Sequence, residues 1–264
     1  MKILTTVSEV RILDDQFEVD GLDVKNRYLT YELNEWDDYA LEEAVQYAEA
    51  SDEDVEVVTV TVGPQRAEET IRQGLAKGAD RAIRVWDDAL DAESVLGPRS
   101  KAQVLAAVVA DEDPDLVLTG VQTGDAAWGA TGVALAAAVD YAWAAVVNDL
   151  DLDASTGQAS VHRELEGGLA ELTDVDLPAV LTIQTGINQP RYASLRGIRQ
   201  AQQKPLDVET LDDIGVDASV LDDGLELTAL YEPESEGEAT VFEGSTEEMT
   251  AELAALLREK GVGA

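Results

Sequence analysis

Glycines clustered in the middle of the sequence are the residues best suited to holding an anion. They stand at positions 120, 124, 129 and 132, inside a segment (115–138) that reads as a buried strand, a loop and an apolar helix. Glycine leaves backbone N–H groups unshielded near a helix N-terminus, where they bind phosphate or another anion. Glycines in such a turn also permit close packing of the strand against the helix. The segment alone leaves both interpretations, binding and packing, open.

Other kinds of chemistry find little support in the residue composition. The chain has no cysteine, so disulfides, thiolate metal sites and cysteine nucleophiles are excluded. Its one histidine, His162, lies between Val161 and Arg163 in an alternating segment, where we expect a sheet-surface residue rather than a catalyst. We recognise no nucleophile–base pair and no metal cluster, and therefore predict neither a catalytic residue nor a metal site.

Acidic residues dominate the charge. The 264 residues include 18 Lys+Arg and 55 Asp+Glu, for a formal net charge of −37. Such a chain repels nucleic acid and anionic membrane surfaces. The acids are dispersed along a chain that is 45% apolar, so we expect a folded protein, and we interpret the acidic surface as halophilic adaptation. The sequence has no apolar run of membrane-spanning length and no signal peptide, which predicts a cytoplasmic protein without direct membrane insertion.

Strands alternate with helices over the first half of the chain. Apolar strand patterns at residues 2–7, 54–62, 81–86 and 116–119 alternate with helical patterns that begin after Asn34, after Pro64 and near Arg99. We expect residues 8–31 to be irregular, with a hairpin near Asp20. This alternation predicts an α/β fold with a doubly wound, mostly parallel sheet of flavodoxin-like strand order. Ligands bind beyond the carboxyl ends of such strands, which here are the loops 5–9, 62–63 and 120–131.

The second half of the chain has a different pattern. Residues 143–152, 158–165 and 169–173 alternate between apolar and polar and are joined by glycine turns, which predicts antiparallel strands that extend the sheet. Residues 207–238 are acidic and poor in apolar residues, and we interpret them as an arm over another surface. The capping box STEE (245–248) opens a final helix, and a second subunit would cover its apolar side. We therefore divide the chain into an α/β domain (1–206) and an arm with a helix (207–264).

One segment stands out because it lacks acid. Residues 177–206 contain no Asp or Glu but hold Arg191, Arg196, Arg199 and Lys204. A basic island on an acidic protein attracts an anionic ligand or an acidic partner surface. Residues 190–195 have the character of an exposed turn that presents Leu195 ahead of a short helix, and an exposed leucine among basic residues is a plausible anchor for a partner.

Several separated motifs resemble those of one known family. LPAVLT (177–182) followed by NQPRYASL (188–195) is similar to the LPAV…NEPRYA(T/S)L signature of the β subunit of electron-transfer flavoprotein, the family that includes the FixA proteins. NEWD…ALEEA (34–44), VGP…GADR (62–81) and RELEGG (163–168) resemble further motifs of that family, in the same order. The resemblance covers nearly the whole chain.

The resemblance implies a heterodimer with an α subunit that holds the redox-active FAD. This chain would bind AMP or, in electron-bifurcating members, a second FAD. It would be an electron carrier rather than a catalyst on its own, taking electrons from dehydrogenases and passing them to a membrane quinone oxidoreductase. Carried over by position, the cofactor-binding residues are Thr6, Asn34, Glu35, Trp36, Asp37, Val62, Gly120, Gln122, Thr123, Gly124, Asp125, Trp128, Gly129, Ala130 and Thr131.

The resemblance also assigns partner docking to a recognition loop (188–204). Leu195 is the implied docking leucine, and Trp36 replaces the family's aromatic residue near the flavin of the α subunit. In the glycine-rich loop only Asp125, Thr131 and Gly132 keep the family pattern, and glutamines largely replace the lysine cluster that follows the docking leucine. The docking residues are Arg191, Tyr192, Leu195, Arg196 and Arg199.

A function of another class is also compatible with the pattern. The predicted sheet resembles that of the universal stress proteins, and an adenine-nucleotide-binding regulatory module of that kind would form a homo-oligomer without flavin. The basic recognition loop and the terminal helix favour the electron carrier, because a regulatory module needs neither.

Overall fold

The structure is a computed structural model that describes residues 1–92, 95–222, 224–232 and 240–261. It contains two compact units, Met1–Leu230 and Tyr231–Ala264. The predicted division after residue 206 therefore moves to residue 230. Leu211 and Leu221, which we assigned to the arm, are buried in the core of the first unit. These two leucines are spaced among acidic residues without periodicity, so no pattern in the sequence indicated that they are buried.

The helices and strands follow the predicted alternation. The strands are β1 (Lys2–Thr6), β2 (Glu9–Leu13), β3 (Val19–Asp20), β4 (Asp23–Val24), β5 (Leu29–Leu33), β6 (Glu56–Val62), β7 (Arg81–Val85), β8 (Leu116–Gly120), β9 (Ala142–Asp153), β10 (Gln158–Leu165), β11 (Leu169–Asp176), β12 (Ala179–Ile183) and β13 (Leu206–Glu209). The helices are α1 (Glu35–Ala50), α2 (Glu68–Lys77), α3 (Asp88–Ala92), α4 (Pro98–Glu112), α5 (Thr131–Val139), α6 (Leu195–Ala201) and α7 (Thr246–Glu259).

Nine strands form the central sheet in the order β11-β10-β9-β12-β8-β1-β6-β7-β13. Its centre is parallel, and β10 pairs antiparallel with both β9 and β11, so the α/β class and the antiparallel extension are confirmed. The order of the central parallel strands along the chain is 3-2-1-4-5, which differs from the predicted flavodoxin-like order of 2-1-3-4-5. Hydrophobic patterns mark strands but do not specify their neighbours. The chain reverses direction across the sheet between β1 and β8, and this is the topological switch point.

Both faces of the parallel sheet are covered, which explains its continuous apolar strands. In β6, Val57 packs in the core beneath α1 and α2, while Val58 and Val60 pack in the core beneath α4 and α5. Leu41 of α1 and Leu105 of α4 belong to these opposite cores. Because these strands are parallel, α2, α4 and α5, which follow β6, β7 and β8 in the chain, begin at the carboxyl edge of the sheet.

Residues 8–31 are more ordered than we predicted. β2 pairs antiparallel with β5, with Glu9 opposite Leu33 and Leu13 opposite Leu29. The predicted hairpin near Asp20 is confirmed, because β3 pairs with β4 on either side of Gly21. The β2–β5 ladder was missed because its two short strands are separated by a connection that contains the β3–β4 hairpin, so no turn joins them directly.

The second unit contains α7. Its predicted capping box is confirmed: the Ser245 hydroxyl accepts from the Glu248 amide, and the Glu248 carboxylate accepts from the Ser245 amide. Leu253 and Leu257 remain 45% and 40% exposed. Of the helices in the described residues, none is long and apolar enough to cross a bilayer.

Candidate functional site

A cleft opens at the switch point between β1 and β8. It spans about 850 Å³, counting the space that is open to solvent. Of the predicted cofactor-binding residues, the following line it: Thr6, Asp37, Val62, Gly120, Gln122, Thr123, Asp125, Trp128, Gly129, Ala130 and Thr131. The position agrees with the rule that ligands bind beyond the carboxyl ends of strands where the strand order reverses.

Asp37 fixes the floor of the cleft. Its carboxylate accepts hydrogen bonds from the Thr6 hydroxyl at 2.6 Å, from the Gly120 amide at 2.9 Å and from the Ser8 amide at 2.9 Å. Asp37 is 2% exposed, and a buried carboxylate needs such donors. Because its oxygens join the ends of β1 and β8 to α1, Asp37 positions the loops that surround the cleft.

Asn34 supports the glycine-rich loop from behind. Its side-chain amide donates to the Gln122 carbonyl at 2.9 Å and accepts from the Gly124 amide at 3.2 Å. Asn34 precedes α1 but makes no capping bond to it, since its side chain is used by the loop. Asn34 and Gly124 therefore hold the cleft without lining it.

Two further predicted residues lie beside the cleft. The Trp36 indole N–H donates to the Gln184 side-chain oxygen at 3.0 Å, which fixes the ring against the end of β12. Glu35 is exposed in the first turn of α1. Neither residue belongs to the lining of the cleft.

The glycines of this segment differ in why glycine is needed: some allow close packing, and one belongs to the wall of the cleft. A Cβ at Gly120 would lie 2.6 Å from the Trp36 Cβ, and one at Gly132 would lie 2.4 Å from the Thr119 hydroxyl oxygen. These two positions need glycine for close packing. Gly129 has a φ of +60° and open space around it, so its requirement is a left-handed backbone in the wall of the cleft.

The backbone of the loop offers donors to a ligand. Within the described chain, the amides of residues 128–131 donate no hydrogen bond. Ala130 precedes α5 and makes no side-chain cap, so the first amides of that helix are also free of side-chain acceptors. Unpaired amides at a helix N-terminus attract an anion through their partial positive charge.

The recognition loop presents an exposed apolar tip. Leu195 is 79% exposed and Tyr192 is 98% exposed. Ser194 caps α6 by accepting a hydrogen bond from the Gly197 amide. Arg196 and Arg199 are exposed, and neither forms an ion pair within the described residues. The structure therefore brings together four of the five predicted docking residues as solvent-facing groups.

Arg191 is placed differently. Its guanidinium donates to Glu42 at 2.8 Å and to Glu49 at 2.7 Å. Burial would raise the pKa of Glu42, but the hydrogen bonds from Arg191 and Gln46 outweigh burial and leave that pKa below its ordinary value. The hydrogen bond from Arg191 also lowers the pKa of Glu49. Arg191 is thus engaged inside the chain and fastens the loop to α1.

The helix that carries Leu195 is fixed to α2. A Cβ at Gly197 would lie 2.3 Å from the Ala76 carbonyl oxygen, so the two backbones are in close contact. The Lys204 ammonium donates to the Leu75 carbonyl at 3.1 Å and to the Ala79 carbonyl at 2.5 Å. Lys204 therefore caps the C-terminal end of α2 instead of contributing to an exposed basic surface.

A family model for the electron transfer flavoprotein domain matches residues 22–214. The chain belongs to this family. It is 45% identical over 264 residues to an electron transfer flavoprotein subunit beta of Methylophilus methylotrophus, with 98% of each chain covered. It is 36% identical to proteins of the same name from Bradyrhizobium diazoefficiens (88% of this chain and 90% of that one) and Sus scrofa (88% and 86%).

The family match includes most of the cleft and the whole recognition loop. Residues 22–214 contain every predicted site residue except Thr6. The chain and its Methylophilus relative are similar along both units, so the terminal helix is part of the shared sequence.

Sequence reasoning missed several residues of the cleft, above all Lys101. This residue lies in the first turns of α4, and burial lowers the pKa of its ammonium group. Glu9 also lines the cleft; burial raises the pKa of its carboxyl, and Arg66 lies 2.9 Å from it. A lysine near a helix start resembles a solvent-facing lysine in the sequence. The signal available was topological, because α4 begins at the same edge of the sheet as the glycine-rich loop. Ser8, Glu9, Gly63 and Val121 lie in the loops predicted to bind a ligand (5–9, 62–63 and 120–131), although they were not named as site residues. The other lining residues, Val60, Leu105 and Thr119, were missed.

Two further features concern metal ligands and the histidine in the parts of the chain that the structure describes. No group of three His, Cys, Asp or Glu side chains there could hold a metal ion. His162 lies in β10, and its ring nitrogen is 2.5 Å from the Asn148 side-chain oxygen. The candidate site thus has two parts, the cleft and the exposed loop 188–204.

Proposed function

We propose that this chain is the β subunit of a heterodimeric electron-transfer flavoprotein. In this proposal an α subunit holds the redox FAD, dehydrogenases deliver electrons, and a membrane quinone oxidoreductase accepts them. The chain acts in the cytoplasm and binds an adenine nucleotide, AMP or a second FAD, in the cleft at the switch point. The flavin supplies the electron chemistry when bound, and the residues of this chain bind and position.

The single observation that carries the proposal is the exposed tip on a rigid support. Leu195 is 79% exposed, yet its helix is fixed by backbone contact with α2 and by the ion pairs of Arg191. A single exposed leucine is common on protein surfaces, and the segment that carries it is not usually held rigid for its sake. One that is held in place, with Arg196 and Arg199 beside it, is suited to insert into a pocket with an acidic rim on a partner.

The cleft supports the nucleotide part of the proposal. Its wall supplies unpaired amides at residues 128–131 and the uncapped N-terminus of α5, a combination that suits a phosphate group. Thr6 and Asp37 are already hydrogen-bonded to each other, so they shape the floor. We assign α7 to the contact with the α subunit, because its Leu253 and Leu257 need apolar cover.

The test is to co-express this chain with the α subunit of the same organism and to count FAD and AMP in the purified complex. One FAD and one AMP per heterodimer are expected for a simple electron carrier. Two FAD and no AMP would instead support an electron-bifurcating member with a second redox flavin. A colourless homo-oligomer that ignores the α subunit would refute the proposal and favour the regulatory module.

Electron transfer is then tested on the same complex. Its flavin should be reduced by a dehydrogenase of the organism, and should be reoxidised by the quinone oxidoreductase. A complex that holds FAD but exchanges electrons with no dehydrogenase would contradict the carrier role while leaving the heterodimer intact.

A further inference from the structure

The cleft is acidic except for one side chain. Among its described lining residues, Glu9, Asp37 and Asp125 are acids and Lys101 is the single cation. The whole chain has a net charge of −37, so a free anion is repelled at long range. A ligand with a phosphate therefore needs a local positive charge in addition to the amides of the loop.

Lys101 feels the charges of Asp125 and Asp37 but is bonded to neither. Its ammonium forms no ion pair and no hydrogen bond with any residue that the structure describes. The nearest acids are already engaged: Asp37 accepts from three donors, and Asp125 accepts from the Ala126 amide at 2.7 Å and the Arg11 amide at 3.3 Å. A partly buried ammonium without a bonded partner is unfavourable, and burial accordingly lowers its pKa.

The position of Lys101 in the cleft indicates which kind of ligand its charge suits. α4 and α5 both begin at the carboxyl edge of the sheet, and Lys101 shares the lining of the cleft with residues 128–131, whose amides are unpaired. A cation and several amide donors that line one small cleft are the groups that bind a phosphate dianion. Neither the glycine-rich loop nor Asp37 could supply the charge.

We propose that Lys101 forms the ion pair with a phosphate group of the nucleotide in the cleft. This inference rests on the proposed function, since it takes the ligand to be an adenine nucleotide. It adds that the ligand is selected by its phosphate, so that adenosine binds weakly. The 5′-phosphate of AMP and the pyrophosphate of FAD share this chemistry.

The test measures the affinities of the full chain, complexed with its α subunit and stripped of nucleotide, for adenosine, AMP and FAD. Lys101→Met should weaken AMP binding by about 10- to 100-fold, as expected for the loss of a charge-assisted contact. Its adenosine affinity should stay within about two-fold of the parent. Lys25→Met, which removes the same charge from an exposed ion pair with Glu18 outside the cleft, should change neither affinity. If Lys101→Met weakens the binding of FAD but not that of AMP, the phosphate that Lys101 contacts belongs to the pyrophosphate of FAD.

A second measurement separates ligand pairing from a structural role. Lys101→Met should raise the melting temperature of the nucleotide-free complex, because it removes a partly buried cation that has no bonded partner. If the substitution instead lowers that temperature and weakens adenosine and AMP equally, Lys101 organises the loop through Asp125 and the proposal is wrong. Asp125→Asn should then reproduce the same loss.

The outcome is independent of the electron-carrier role. A parent complex that holds FAD in the α subunit and accepts electrons, but whose cleft binds neither AMP nor FAD, overturns the role of Lys101 and leaves the carrier standing. A chain that never acquires flavin but loses its preference for AMP over adenosine in Lys101→Met supports the role of Lys101 and refutes the carrier.

Discussion

Arg191 and Glu42 join the recognition loop to the middle of α1. The Arg191 guanidinium and backbone amide both donate to one Glu42 oxygen, at 2.8 Å and 3.1 Å, and Glu42 is only 5% exposed. The same guanidinium continues to Glu49, two turns further along the helix. The loop that carries Leu195 is therefore fastened by a partly buried charge network.

Removing this cation should cost stability. Arg191→Met leaves the Glu42 carboxylate buried without its main donors, and we expect the free energy of unfolding to fall by about 1–3 kcal/mol. Chemical denaturation at neutral pH and constant salt measures the change. Arg196→Met and Arg199→Met remove the same charge from exposed positions and should change stability by less than about 0.5 kcal/mol. Equal effects at all three positions would mean that net charge, rather than the network, sets the result.

The network should also have a pH signature. The pKa values of Glu42 and Glu49 lie below the ordinary 4.5. Their stabilisation is therefore complete above about pH 4.5, and it is lost as pH falls through the lowered values. The stability difference between the parent and Arg191→Met should be largest at neutral pH and shrink in acid. Burial raises the pKa of Glu9 and of Glu43, which acts in the opposite direction, but both groups are present in both proteins and cancel in the difference. A gap that stays constant to pH 3 would contradict the assignment.

Leu195 should matter for the partner and not for the fold. Leu195→Ala should weaken the productive complex with a dehydrogenase by about 1–3 kcal/mol, the range for an anchor residue, which corresponds to a rise in KM for the flavoprotein. Unfolding should be unchanged because the side chain is 79% exposed. Leu172→Ala on β11, where the leucine is 80% exposed, is the matched control and should leave the dehydrogenase kinetics unaltered.

Salt should stabilise the chain. With 55 acids against 18 bases, repulsion between like charges opposes the compact state, and dissolved salt screens it. We expect the melting temperature to rise steadily between about 0.2 M and 2 M KCl, since the Debye length shrinks to a few ångströms over this range. Ion pairs such as Arg81–Glu112 weaken in salt and limit the rise. A melting temperature that falls with salt would argue against halophilic adaptation.

The central strands and helices could be predicted from the sequence because the residue pattern of each one lies within a single short segment. The Val/Thr run of β6 is apolar on both faces and is bounded by Gly63 and Pro64, and nothing distant is needed to recognise it. The β2–β5 ladder and the strand order depend on which segments meet, and one sequence does not contain that information in local form.

The site was only partly predictable for the same reason. Gly129 belongs to a glycine pattern that is visible in the sequence, and it lines the cleft. The partner of Arg191 lies 149 residues away in α1, so the sequence suggested an exposed cation where the fold has an internal ion pair. Lys101 carries no local mark of partial burial, because only the packing of α4 on the sheet places its side chain in the cleft.

Gly129 offers a test of the cleft that separates backbone strain from ligand exclusion. Gly129→Leu should cost about 1–2 kcal/mol of stability, because a side chain is placed on a left-handed backbone, and should also expel the nucleotide by filling the wall beside the free amides. Gly157→Leu is the matched control: its φ of +70° and open surroundings resemble the +60° and open space at Gly129, but it lies in the turn between β9 and β10. Both variants should therefore lose similar stability, and only Gly129→Leu should lose AMP or FAD from the cleft when the purified complex is assayed for nucleotide. Full retention in Gly129→Leu would mean that the ligand phosphate does not approach this stretch of backbone.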